Sequence, residues 1–214
     1  MHLFNTLSDF IVGPCFRNLP SNDKTIYLTF DDGPNSYCTP QILDVLKKHK
    51  AKVTFFVIGN NIKENKDVFN QIVKDGHSIG NHSFDHSTTI FFKGKNALSE
   101  WIDKGEATIC KHLGEATIGF RPPVGIRTPE LRLIMKQKNE KPIMWQHRFY
   151  DTKKGFTEEA WKNKYNKIKS GDIILLHDTH KQADVFLSSL NSFIQTLIND
   201  GYELKGIEKT HLKK

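Results

Sequence analysis

The sequence predicts an α/β fold: one domain built on a parallel sheet, with helices between successive strands. Three observations predict it. Seven short β-like runs are spread along the 214 residues. Helix-like stretches fill the gaps between them, the alternation that produces parallel pairing. Several runs, KVTFFVI and DIILLH among them, are apolar on both faces, as strands covered by helices are. A closed or nearly closed barrel and an open doubly wound sheet both satisfy this pattern. Either one gathers functional residues at the C-terminal ends of its strands.

The elements follow in order. Residues 1–23 start with the mildly apolar MHLFNTLSDFIVGPCF and are expected to form an arm packing on or near the core. This stretch lacks a basic start and carries Asp9, so it does not read as a secretory leader. The first strand is expected at 25–30 (TIYLTF). Thr39-Pro40 reads as N-cap and first helical residue before QILDVLKKHK. A strand at 52–58 precedes a helix in DVFNQIVKDG that stops at Gly76. Strands at 77–80, 118–121, 142–146, 172–177 and 202–207 alternate with helices at 95–113, 128–138, 157–169 and 184–200. The domain spans 24–208, and 209–214 is a basic tail.

A 37% hydrophobic and 26% charged composition describes a globular chain long enough to bury one substantial core. Lys and Arg number 31 against 24 Asp and Glu, a basic excess that leans toward anionic substrates or membrane surfaces. No aromatic-rich basic strand accompanies it, so nucleic acid is not an expected partner, and no protein partner is implied. No apolar run is long enough to span a bilayer. Cys15, Cys38 and Cys110 are an odd set without metal-type spacing, which reads as free thiols in a reducing compartment. The expected location is the cytoplasm or the inner face of the membrane, with peripheral membrane contact allowed.

The expected strand ends carry unusual residues. Asp31 and Asp32 end the first strand, and burying ionised carboxylates is costly unless they are paired or bind a metal. His82 lies just past the third strand, with His86 four residues later, a spacing that puts two imidazoles on one face of a helical turn. One carboxylate of the Asp31–Asp32 pair completes a His₂Asp set with an open fourth position, the pattern of catalytic zinc. Arg121 ends the fourth strand and is a candidate cation for the remaining carboxylate, held in place by Pro122-Pro123. Asp151 lies in the loop after the fifth strand. His177 ends the sixth and is a candidate proton donor.

TFDDGPN, GHSIGNHSFDH, FRPPVG and GDIILLHD resemble, in order and spacing, the motifs of the polysaccharide deacetylases (carbohydrate esterase family four, the NodB-homology domain). The resemblance covers residues 24–208. It implies a distorted seven-stranded (β/α) barrel. It also implies metal-dependent removal of N-acetyl groups from an amino sugar in a polysaccharide, oligosaccharide or lipid-linked glycan, releasing acetate. Asp32, His82 and His86 would bind one divalent metal ion, Zn²⁺ first, with Co²⁺, Ni²⁺ or Mn²⁺ as alternatives. Asp31 would be the general base, tuned by Arg121. The Val124 N–H would stabilise the oxyanion. His177 would be the general acid, oriented by Asp151, and Leu175 would line the pocket for the acetyl methyl. Two departures stand out. In WQHRFYDT, Arg148 occupies the place of an Asp and Thr152 that of a Trp, and Val124 stands where an aromatic is common. A catalytically inactive glycan- or glycolipid-binding protein on the same fold is the rival reading.

Overall fold

The computed structural model describes residues 7–21, 23–179 and 183–212. Residues 1–6 of the expected arm and 213–214 of the expected tail lie outside the described residues. Strand β1 (Thr25–Asp31) is the centre of a parallel sheet. It pairs with β2 (Thr54–Val57) on one side and β5 (Ile173–His177) on the other. Beyond β2 lies β3 (Ser78–Asn81), and beyond β5 lies β4 (His147–Arg148). A short β6 (Glu203–Leu204) joins the start of β1. The helices are α1 (Leu7–Val12), α2 (Cys38–Lys48), α3 (Gly59–Glu64), α4 (Lys66–Lys74), α5 (Lys95–Leu113), α6 (Pro129–Gln137), α7 (Asp151–Lys154), α8 (Glu158–Tyr165) and α9 (Ala183–Asn199). Among the described residues, no helix is long and apolar enough to cross a membrane.

Alternation along the strands builds two different faces. Ile26, Leu28 and Phe30 of β1, Phe55 and Val57 of β2, and Ile174 and Leu176 of β5 share one apolar cluster with residues of α2, α4 and α9. The intervening residues Tyr27, Phe56 and Ile173 form a second cluster with Leu19, Ile143 and Ile207. Along that second face Thr29, Asp31 and His177 follow toward the strand ends, so its polarity rises toward the C-terminal rim. The base is an apolar plug and the mouth is charged.

Among the described residues the sheet has six strands, where the sequence leads one to expect seven. The runs 118–121 and 142–146 stay extended but make only isolated bridges, Asn81 with Phe120 and Phe16 with Ile143. They still close the wall: the Arg121 N–H donates to the Asn81 carbonyl, the Ile143 N–H to the Phe120 carbonyl, and the Gln146 N–H to the Ile173 carbonyl. Regular ladders fail there because Pro122, Pro123 and Pro142 lack N–H groups and Gly119 has φ +142°. The result is a distorted (β/α) barrel.

Helix ends obey local chemistry. Thr128 and Thr157 cap α6 and α8, accepting from the N–H groups of Leu131 and Ala160. The expected cap at Thr39 is displaced: α2 starts at Cys38, two residues before the expected first helical residue Pro40, and Asn35 Oδ1 accepts from the N–H groups of Tyr37 and Cys38 instead. Pro40 is tolerated inside the first turn, where an N–H has no helical partner anyway. Thr39, released from capping, donates to Asp178 Oδ2 at 2.6 Å. The expected helix 157–169 is shorter, ending at Tyr165, and α1, α3 and α7 are additional. Arg17 and Arg127 both bind the buried Asp9 of α1, at 2.9 and 2.6 Å.

Candidate active site

The β1 edge sets Asp31 and Asp32 in different surroundings although they are neighbours. Asp31 is buried and shares its ladder position with His177 on β5. Its Oδ1 accepts from Arg121 Nη1 at 2.6 Å. Arg121 is fully buried, and its remaining donors reach the carbonyls of Ile143 and Met144 and the hydroxyl of Thr29. Its guanidinium lies 3.8 Å from the Phe56 ring centroid. Burial pulls the guanidinium below its ordinary pKa, and Asp31 opposes that pull. Arg121 is thus a fixed charge that orients one oxygen of Asp31, while Oδ2 lies 3.7 Å from His82 Nε2.

Asp32 points elsewhere. Its backbone has φ +82°, a region L-residues seldom occupy, and its carbonyl accepts from Asn61 Nδ2 at 2.8 Å. Next to it, Gly33 permits a close approach: a Cβ there would come within 2.0 Å of Asp178 Oδ2. Asp32 Oδ1 lies 3.4 Å from His82 Nε2 and 3.3 Å from His86 Nε2. It is buried and has no hydrogen-bond partner among the described residues. Burial works against its ionised form, but His82 first, then His177 and His86, hold its carboxyl below the usual range.

The two imidazoles do not sit on a helical turn as the spacing suggests. Residues 82–86 are irregular, with Ser83 at φ +86° and His86 at φ +60°. Side chains hold this loop instead. Asn81 Oδ1 accepts from the Ser83 N–H, and Ser83 Oγ accepts from the His86 N–H. Gly105 of α5 lets the helix press on the loop, where a Cβ would lie 2.8 Å from the Ser83 carbonyl carbon. His82 Nδ1 sits 2.9 Å from the Arg121 carbonyl. Donation there fixes a proton on Nδ1 and turns Nε2 toward Asp32. Asp32, His82 and His86 each offer one donor atom, all within 4.8 Å of one another. An orphaned buried carboxylate oxygen facing two imidazole nitrogens is a donor set that fits a divalent cation.

Across the mouth, His177 ends β5 with its side chain 12% exposed. Asp151, fully buried at the start of α7, accepts from both His177 Nδ1 at 2.9 Å and the His177 N–H at 2.8 Å. Burial opposes the charged ring, but the Asp151 bond and charge, aided by Asp31 and Asp32, push the His177 pKa up to about 9. With Nδ1–H committed to Asp151, the second proton of the charged ring is on Nε2.

Leu175 is buried, in register with Thr29 and Arg148. Val124 is 56% exposed on a turn with φ +48°, a strained conformation for a β-branched residue. That turn is tied by the Gly125 N–H to the Pro122 carbonyl. Thr152 is exposed. Thr29 and Asp178 also belong to the site's framework. A threonine inside an apolar strand is the signal for the first; for the second it is the acid directly after DIILLH. Burial pushes the Asp178 pKa up to about 7, while the Thr39 hydrogen bond works the other way.

Residues 18–143 match the family model described as polysaccharide deacetylase. A peptidoglycan-N-acetylglucosamine deacetylase of Bacillus cereus is 31% identical over 188 residues, 86% of this chain and 86% of that one. The solved peptidoglycan deacetylase PdaC of Bacillus subtilis is 32% identical with a TM-score of 0.75, covering 87% of this chain and 89% of the other. A pseudoenzyme of carbohydrate esterase family four from Bacillus anthracis is 28% identical with a TM-score of 0.78, covering 94% of this chain and 69% of the other.

Proposed function

The chain belongs to the polysaccharide deacetylase family, and on that premise we propose that it hydrolyses the N-acetyl group of an amino sugar within a glycan, with a divalent metal, releasing acetate. The observation that carries this reading is the split between the two adjacent carboxylates: Arg121 holds Asp31, while Asp32 Oδ1 has no hydrogen-bond partner among the described residues and faces His82 and His86.

Asp32, His82 and His86 would hold the ion, with Zn²⁺ the first choice for such a donor set. A divalent ion there supplies a Lewis acid for the acetamide carbonyl and makes water easier to deprotonate. Asp31 takes the proton of the attacking water at Oδ2, the oxygen left free by Arg121. The Val124 N–H donates to the oxyanion as it develops. His177 gives its Nε2 proton to the leaving amine, and Asp151 keeps that ring charged and in orientation. Leu175 offers an apolar wall to the acetyl methyl.

The rival reading, a binding protein without turnover, is weakened because base, acid and metal donors are all present together. The test is acetate release by metal-loaded protein from chitin, peptidoglycan and lipid-linked amino-sugar substrates. Turnover of any one supports the deacetylase. Glycan binding without acetate release from every substrate supports the rival.

A further inference from the structure

We infer that the altered fourth motif builds an anion-binding subsite beside the catalytic acid, and that the amino-sugar substrate carries a phosphate or carboxylate group which this subsite receives. This rests on the deacetylase reading above. A cavity of about 400 Å³ opens beside β4, lined by Trp145, Arg148, Tyr150, Lys164 and Lys167, together with Arg17, Gln146 and His147. No Asp or Glu lines it.

Two of the cavity's basic groups are already matched. Arg17 forks onto both oxygens of Asp9, each at 2.9 Å, and His147 Nε2 lies 2.8 Å from Asp172 Oδ2. Arg148, Lys164 and Lys167 have no carboxylate partner among the described residues. The Arg148 guanidinium lies 4.8 Å from the Tyr150 ring centroid and 5.7 Å from that of Trp145. Those rings hold it in place without neutralising it. Its Nε is buried with no hydrogen-bond partner among the described residues. Lys164 is fixed by donating to the Arg148 carbonyl at 2.8 Å.

A planar guanidinium fork flanked by two ammonium groups is the chemistry that recognises phosphate and carboxylate oxygens. The cavity shares no lining residue with the proposed site, but its Arg148 lies on the strand next to that of His177. Arg148 pairs in register with Leu175, two residues before His177, and Tyr150 directly precedes Asp151. An uncharged sugar would offer these cations only neutral acceptors, whereas an anionic group would supply the counter-charge they lack.

The test uses the metal-loaded full chain with three probes: N,N′-diacetylchitobiose, its phosphate monoester and its carboxymethyl ether. Calorimetry gives affinities, and acetate release gives kcat/KM. The wild type should prefer an anionic probe by about tenfold or more, the scale of one charge-assisted hydrogen bond. Arg148→Gln should reduce that preference by about tenfold. Lys167→Gln, at an exposed position and safe for folding, should reduce it by about threefold, as expected of a more solvated charge. Preference for the phosphate over the carboxymethyl probe, or the reverse, identifies the group. Equal affinity for all three probes, or a preference that survives both substitutions, overturns the subsite. If an Arg148-dependent preference in binding persists while neither these probes nor chitin, peptidoglycan or lipid-linked substrates release acetate, the subsite stands and the deacetylase reading falls.

Discussion

The two halves of the barrel mouth hold charge in opposite ways. The half formed by Asp32, His82 and His86 is incomplete on its own, with a buried carboxylate oxygen lacking a hydrogen bond and two imidazole nitrogens turned toward it. The half formed by His177 and Asp151 is self-contained, because the aspartate accepts from both the ring and the backbone of the histidine. Asp31 sits between them, pinned by Arg121. Under the proposed function, one half takes its counter-charge from a bound cation, whereas the other supplies its own. Removing one residue should therefore have different consequences on the two sides.

The largest effect is expected from His82→Ala on the incomplete half. Losing one of three donors should abolish most bound metal, and acetate release should fall to background. Metal analysis of the purified variant checks this, and retention at the wild-type level would break the comparison.

The self-contained half should respond through pH. As the proposed general acid, His177 would act when protonated, and its pKa is pushed up to about 9 chiefly by Asp151 acting against burial. Asp151→Asn removes that charge, so the alkaline limb of kcat/KM should move to lower pH while metal content stays the same. Because the folded-state value exceeds 6.5, the pair stabilises the fold fully below pH 6.5 and loses that contribution as pH rises through about 9. The stability penalty of the substitution should shrink over the same window. A profile that overlays the wild type would show that Asp151 has no hold on the acid.

Beneath the mouth, Asp178 sharpens the contrast as a buried acid in neither half. Its pKa is raised from 3.8 to about 7, so its stabilising contribution is full below pH 3.8 and is lost as pH rises through about 7. Asp178→Asn, which cannot ionise, should raise Tm relative to the wild type by about 2–4 °C above that window and by less below it. Thermal unfolding at several pH values measures the difference.

What was legible in the sequence follows physical lines. Strands β1, β2 and β5 announce themselves because their long apolar runs are buried on both faces. The segments 118–121 and 142–146 also look like strands, but prolines and a positive-φ glycine deny them ladders. The donors of the incomplete half lie in short contiguous motifs, so the set was readable, while its geometry was not. His82 and His86 converge through the turns at Ser83 and His86 and the Asn81 hydrogen bond, none of which follows from a four-residue spacing. Arg148 was readable as a departure, yet its stacking on Tyr150 and Trp145 emerges only from folding.

Adjacent Asp31 and Asp32 are proposed to have separate jobs, one as base and one as metal ligand. Metal content and acetate release measured side by side for Asp31→Asn and Asp32→Asn test this most directly. Asp31→Asn should keep its metal and lose turnover by about 10²–10⁴-fold, the range for removing a general base. Asp32→Asn should lose both. Metal loss from Asp31→Asn with retention in Asp32→Asn would contradict the assignment and exchange the two roles.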